Sequence, residues 1–198
     1  MRVALTFDTE FPSRPAEAGV EGRLLASLAA VDVRATFFLQ GRWVRANPEQ
    51  ARGIAAAGHV IGNHSNYHAP MDGLTDEALR QDVLKAEETI REITGVDPKP
   101  WFRCPFGAGM DDDRVLKLLE ELGYSHVGWD VDPEDWNEEH DADDVERLVL
   151  AGLSEHDGGE AIVLLHGWPT ATAEALPRIL RALASDGVEL VTVDRLES

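Results

Sequence analysis

Runs of β-forming residues alternate with helix-forming stretches about seven times along this 198-residue chain, and that alternation limits its fold more than any other feature. A strand is expected over 2–8, ending at Asp8. Leu24, Leu25, Leu28 and Ala29 keep helical spacing within 19–30. A second strand covers 34–39 and stops at Gln40-Gly41. Pro48 opens a helix over 49–57 that Gly58 closes, and a third strand covers 59–62. Thr75 caps a long helix ending at Thr94 and Gly95, with Leu79, Val83, Leu84, Ala86, Ile90 and Ile93 at a 3.6-residue period. Strands over 101–103, 125–129, 161–165 and 188–193 then alternate with helices over 111–122, 141–153 and 171–184. Strict β-α order means parallel strands covered by helices. Seven such units in a chain this short favour a closed or nearly closed (β/α)7 barrel of the α/β class. No linker or composition shift divides the chain, so one domain over 1–198 is expected.

Parallel sheets gather their chemistry beyond the carboxyl ends of the strands. Asp8 and Glu10 follow the first strand, and His64 and His68 the third. Arg103 ends the fourth. Asp130, Asp132 and Asp135-Trp136 follow the fifth, and His166 the sixth. Each alone reads as a solvated loop residue; at successive ends of one parallel sheet they converge on one pocket. If 64–68 turns helically, His64 and His68 share a face about one turn apart. Such an imidazole pair is half of a zinc-type site, although two histidines in a polar loop can equally bind nothing.

Charge narrows the partners. Asp and Glu number 37 against 18 Lys and Arg, a net charge of -19, and Lys85, Lys99 and Lys117 are the only lysines. An evenly acidic, lysine-poor surface repels itself at low ionic strength, and concentrated salt screens that repulsion. Adaptation to a salt-rich cytoplasm is therefore expected, and neither nucleic acid nor an anionic membrane suits this surface as a partner. Cys104 is the only cysteine, which excludes an internal disulfide and a cysteine-based zinc site. Asp8 arrives before a signal-peptide core could build up, and no apolar run approaches membrane-spanning length, so a soluble cytoplasmic chain is expected.

The order Thr6-Phe7-Asp8, His64-Ser65-x-x-His68, Arg103-x-Pro105-x-Gly107, Asp132-x-x-Asp135-Trp136 and Leu164-x-His166 resembles the five motifs of the NodB-homology polysaccharide deacetylases, carbohydrate esterase family four. Ala35-Thr36-Phe37-Phe38 and Gly58 to Asn63 resemble the family as well, and the likeness runs over 3–193. It implies a distorted (β/α)7 barrel and a hydrolase that removes acetyl groups from N-acetylated sugars. It also implies one divalent ion and no organic cofactor; zinc suits the nitrogen and oxygen ligands, as would cobalt or nickel. His64 and His68 would hold the ion. Asp8 would be the general base, with Arg103 orienting it and keeping it ionised. His166 would be the general acid, its tautomer held by Asp132 or Asp135, with the family pattern favouring Asp135. Trp136 and Leu164 resemble the apolar pocket for the acetyl methyl, and the backbone N–H of Phe106 would face the developing oxyanion.

Two positions depart from the pattern. Family members carry a second aspartate directly after the first, as the third metal ligand; here that position is Thr9. Strand alternation turns Glu10 to the same side as Asp8 and Thr9 away, so Glu10 is the first-ranked replacement ligand, with Asp8 itself leaning onto the metal, or no tightly held metal, as the alternatives. Phe106 stands where the family has tyrosine, and the loops are short, so a small or lipid-linked acetylated sugar is as acceptable as a polymer. Two other readings compete: a metal-poor hydrolase of small linear or cyclic C–N amides, and a carbohydrate-binding relative without turnover. Cys104 is expected to be a small buried residue, and His59, His126, His140 and His156 to be structural or exposed. Trp43, Trp101, Trp129 and Trp168 are expected to fill cores or line clefts, with Trp168 the best placed to stack on a sugar.

Overall fold

The β-α alternation folds into one sheet of seven parallel strands in a computed structural model that describes residues 1–10 and 16–196. The strands are β1 (Arg2–Asp8), β2 (Thr36–Leu39), β3 (Val60–Asn63), β4 (Trp101–Phe102), β5 (Ser125–His126), β6 (Glu160–His166) and β7 (Glu189–Val191). Their order is β5-β4-β3-β2-β1-β6. β6 runs along the whole of β1, while the other edge of β1 is shared by β7 at Arg2–Ala4 and β2 at Thr6–Asp8. The registers align the functional ends: Asp8 stands opposite both Phe38 and His166, and Asn63 opposite both Leu39 and Phe102.

Helices α1 (Val20–Ala29), α2 (Gly41–Ala46), α3 (Pro48–Ala56), α4 (Asp76–Thr94), α5 (Asp113–Glu121), α6 (Ala142–Glu155) and α7 (Thr170–Ser185) cover the outside of the curled sheet. Val3, Leu5 and Phe7 of β1 join the core beneath Leu24 and Leu28 of α1, Val149 of α6 and Leu176 and Ile179 of α7. Ala4 belongs instead to a separate cluster with Phe38, Val127 and Val193. β1 is buried on both faces, which is why its sequence alternates only weakly. Helix ends follow local chemistry: the Thr75 hydroxyl accepts from Ala78 N at 3.3 Å, and Gly95 ends α4 at φ 74°. Among the described residues no helix is long and apolar enough to cross a membrane.

Three expectations need correction. Gln40-Gly41 ends β2 but also starts α2, a six-residue helix that the sequence reading lacks. Gly41 sits there because the chain passes close to α4, where a Cβ would lie 2.9 Å from the Ala86 Cα. The fifth strand is not 125–129: pairing with β4 stops at His126, and the chain then crosses to β6. Val127 N still donates to Phe102 O at 2.8 Å, but Val131 N donates to Ile162 O at 3.1 Å and Leu164 N to Val131 O at 2.9 Å. The outer strands β5 and β6 are thus linked only through this crossing segment, by an isolated bridge of Val131 to Val163, and the barrel is distorted. The third correction concerns residues 64–68, which do not turn helically. Ser65 and His68 both have left-handed backbones, at φ 62° and 59°.

Candidate active site

Arg103 is the centre of the barrel mouth, because it is fully buried and its guanidinium finds a partner on every side. Nε donates to Val127 O at 3.1 Å and Nη2 to Gly128 O at 2.9 Å, on the segment that crosses between β4 and β6. Nη1 donates to Thr6 Oγ1 at 2.7 Å and to Asp8 Oδ1 at 2.9 Å, at the end of β1. The guanidinium also lies 4.2 Å from the Phe38 ring centroid. One oxygen of Asp8 is thereby occupied. The other, Oδ2, stands 3.5 Å from His64 Nε2. Burial opposes the charge on Asp8, but the cations of Arg103 and His166 outweigh it and hold the carboxyl below the usual aspartate range.

His64 follows β3 as Arg103 follows β4, and Arg103 N donates to Asn63 O, so the two residues are neighbours by register. His64 Nδ1 lies 2.9 Å from Arg103 O and donates to it, which leaves the lone pair on Nε2. That nitrogen lies 3.1 Å from His68 Nε2. The left-handed turns, not a helical repeat, bring the two imidazoles together. Burial keeps His64 below the ordinary histidine value, and burial with the neighbouring His64 pushes His68 down to about 3. Both rings are neutral at ordinary pH, the form in which imidazole binds metals.

Glu10 Oε1 stands 3.5 Å from His68 Nε2 and 3.9 Å from His166 Nε2. Thr9 turns the other way: its hydroxyl accepts from Gln40 N at 3.0 Å, at the end of β2. Two neutral imidazoles flanked by two carboxylates are the donor types that zinc-like ions take. Donors bound tetrahedrally at about 2.0–2.1 Å stand about 3.3 Å apart. The neighbouring separations here, 3.5, 3.1 and 3.5 Å, are close to that value. The donors nonetheless run as a chain from Asp8 through His64 and His68 to Glu10. Among the described residues no three such side chains form a ready cage around a single point.

Across the cavity, at the end of β6, His166 Nδ1 lies 2.6 Å from Asp135 Oδ1, and its backbone N–H donates to Asp135 Oδ2 at 2.8 Å. Thr172 Oγ1, in the first turn of α7, donates to the same Oδ2 at 2.5 Å. Burial disfavours the imidazolium, yet Asp135, by charge and hydrogen bond, and then Asp8 and Glu10 outweigh it and raise His166 to about 9. His166 is therefore a cation at neutral pH while Asp8 is an anion. Asp132 does not touch His166; its Oδ1 accepts from Glu134 N at 2.8 Å.

Asp8, Glu10, His64, His68 and His166 face one cavity of about 350 Å³, whose walls include Cys104, Phe106, Trp129, Asp132, Trp136, Leu164 and Trp168, while Arg103, Asp135 and Thr172 stand behind it. Phe106 has a left-handed backbone at φ 58° and is 70% exposed at the rim, its ring edge-on to His68 at 4.5 Å. Trp168 is tilted against His166 at 5.7 Å. Burial pushes the Cys104 thiol up to about 12, so it is inert there. His59 accepts from Ala35 N, and His140 and His156 bond to carbonyl oxygens of Glu134 and Glu160, all outside the site. The sequence reading missed Thr172 and the buried residues Asn63 and Asp82 behind the His64–His68 loop. Nothing local marks them, since Thr172 reads as a helix-start residue and Asp82 as one more polar position on a long helix.

The sequence profile of the family described as polysaccharide deacetylase matches residues 1–127. The chain is 37% identical over 196 residues to the peptidoglycan-N-acetylglucosamine deacetylase PgdA of Listeria monocytogenes, covering 98% of this chain and 38% of that protein. It thus spans well under half the length of that relative. A family 4 carbohydrate esterase from Streptomyces lividans, solved in complex with acetate, superposes with a TM-score of 0.81 at 31% identity, covering 96% of this chain and 91% of that one. A structure described as a family 4 pseudoenzyme from Bacillus anthracis superposes with a TM-score of 0.86 at 31% identity, covering 98% and 64%. A mutant of it described as having restored enzymatic activity also gives 0.86, at 32% identity, covering 98% and 66%.

Proposed function

Because this chain belongs to the polysaccharide deacetylase family, we propose that it hydrolyses the acetamide of N-acetylated sugars, with Asp8 as general base and His166 as general acid. The observation that carries the reading is the pairing of opposite protonation states on one cavity: Asp8 held ionised beside Arg103, and His166 held protonated beside Asp135. Amide hydrolysis needs both, because water must lose a proton as it attacks and the leaving amine must gain one. Asp8 Oδ2, the oxygen that Arg103 leaves open, takes the proton of the attacking water. The water oxygen bonds to the acetyl carbon, His166 Nε2–H passes its proton to the amine nitrogen, and the C–N bond breaks to give acetate and a free amino sugar. Asp135 holds the ring with Nε2 towards the cavity, and Thr172 holds Asp135. Leu164 and Trp136 would supply the apolar surface for the acetyl methyl, and the backbone N–H of Phe106, at the rim, would face the oxyanion.

His64 and His68, joined by Glu10, are the residues that would hold a divalent ion, zinc by preference. Bound there, it would polarise the amide carbonyl and acidify water. Glu10 takes the place that Thr9 leaves empty, a reading supported by the opposite directions of the two side chains. The departure at Thr9 also leaves room for a competing reading, a sugar-binding relative without turnover, and one similar structure is described as a pseudoenzyme. That no three donors form a ready cage among the described residues leaves room for the other, a metal-poor hydrolase of small C–N amides.

Acetate release from N-acetylglucosamine oligomers by the zinc-supplemented protein tests the proposal. Asp8→Asn and His166→Ala should each lower release by about 100-fold or more. Full activity in both variants would overturn it. Oligomer binding without acetate would establish the binding relative, and metal-free turnover of a ureide the small-amide hydrolase.

A further inference from the structure

The loop that carries His64 and His68 holds two non-glycine residues, Ser65 and His68, in the left-handed region. Such conformations are sparsely populated and persist only where their surroundings impose them. Every backbone N–H of the loop has a partner, and the partners show what imposes it. His64 N donates to Leu39 O, and Ser65 N to Asn63 Oδ1. Asn66 N and Tyr67 N donate to the two oxygens of one carboxylate, Asp82 Oδ2 at 3.2 Å and Oδ1 at 3.0 Å. His68 N donates to Ser65 Oγ at 2.9 Å, and the Ser65 hydroxyl bonds in turn to Asp82. Asp82 therefore reaches three of the five N–H groups, two directly and the third through Ser65. It sits on α4, 4% exposed, and no cation lies within ion-pair distance of it among the described residues. The next residue, Val83, accepts from Asn63 Nδ2 at 3.0 Å, so one turn of α4 grips the loop at its entry and along its length.

We propose that Asp82 is a positioning residue that sets the His64–His68 geometry from outside the cavity, by fixing the 66–67 backbone and aiming the Ser65 hydroxyl at His68 N–H. A buried carboxylate meets this need because it can accept from several donors at once. An asparagine can accept through only one oxygen and turns an NH2 towards the other donor. The fixed loop stands on its own observations; the consequence for metal binding rests on the proposed function.

The test is native-state amide hydrogen exchange on the metal-free protein, followed by zinc titration against a competing chelator. In the wild type the Asn66 and Tyr67 amides should exchange at least about 100-fold slower than an open peptide. In Asp82→Asn that protection should fall by about 10-fold or more at 66–68 while the strand amides of β1 and β6 keep theirs. Zinc affinity should fall by about 10- to 100-fold, as it does when a group supporting a metal ligand is lost. Fast exchange at 66–67 in the wild type overturns the proposal, and that measurement does not depend on the variant folding. Unchanged protection and unchanged zinc affinity in Asp82→Asn overturn it too. A wild type that protects 66–67 but binds no zinc would remove the metal reading and leave the loop-positioning role intact.

Discussion

Replacing Asp135 by asparagine keeps the size of the side chain and removes the charge that holds His166 protonated. The ring stands at about 9 against an ordinary 6.5, with Asp135 the first of the groups that raise it and Asp8 and Glu10 behind it. That gap corresponds to about 3 kcal/mol in favour of the imidazolium. A raised folded-state value contributes stability that is complete below pH 6.5 and is lost as the pH climbs from 6.5 through about 9. Without the Asp135 charge, burial acts against only Asp8 and Glu10, so the His166 pKa should drop by at least about one unit. Two readouts follow this. The ring proton shift of His166 in a pH titration should move from a midpoint near 9 to below about 8. The basic limb of the kcat/KM profile should move with it, and the loss of stability between pH 6.5 and 9 should flatten. A His166 midpoint that stays near 9 in Asp135→Asn would refute the argument, because some other group would then be stabilising the cation.

Three further outcomes follow from the same contacts. Arg103→Met leaves the Asp8 carboxylate buried and unpaired, which should cost about 3–5 kcal/mol in denaturant unfolding; a loss below about 1 kcal/mol would contradict the ion pair's place at the centre of the barrel mouth. At Gly62 a Cβ would meet the Phe38 ring at 2.6 Å and Trp101 O at 3.1 Å, so Gly62→Ala should destabilise by about 1–3 kcal/mol, read as a drop of about 2–10 °C in Tm. The net charge of -19 should make Tm rise between dilute buffer and molar potassium chloride; an unchanged Tm would count against salt adaptation.

The strand ends were legible in the sequence because each pairs a β-rich run with a polar residue at its close, and a parallel sheet can place those residues only at one mouth. Asp8 opposite His166 is the clearest case, since register along the whole of β1 and β6 carries both to the cavity. The helical reading of 64–68 failed for a physical reason. Four-residue spacing is compatible with a helix, but the turn is imposed by Asn63 and Asp82 from outside and by the Ser65 hydroxyl within it. Gly41 read as a terminator because glycine usually is one, whereas here it admits the close approach of α2 to α4. Asp82 and Thr172 could not be read at all, because their roles lie in contacts with residues 15 to 37 positions away. The turning of Glu10 inward and Thr9 outward follows strand alternation carried past the end of β1.

That last pair is where the account is most exposed. Acetate release from N-acetylglucosamine oligomers should be compared in zinc-supplemented wild type, Thr9→Ser and Glu10→Gln. If Glu10 completes the site, Thr9→Ser keeps its hydroxyl contact with Gln40 N and works at the wild-type rate, while Glu10→Gln loses about 10-fold or more. Wild-type turnover in Glu10→Gln, or no acetate from the wild type under any zinc concentration, would contradict it.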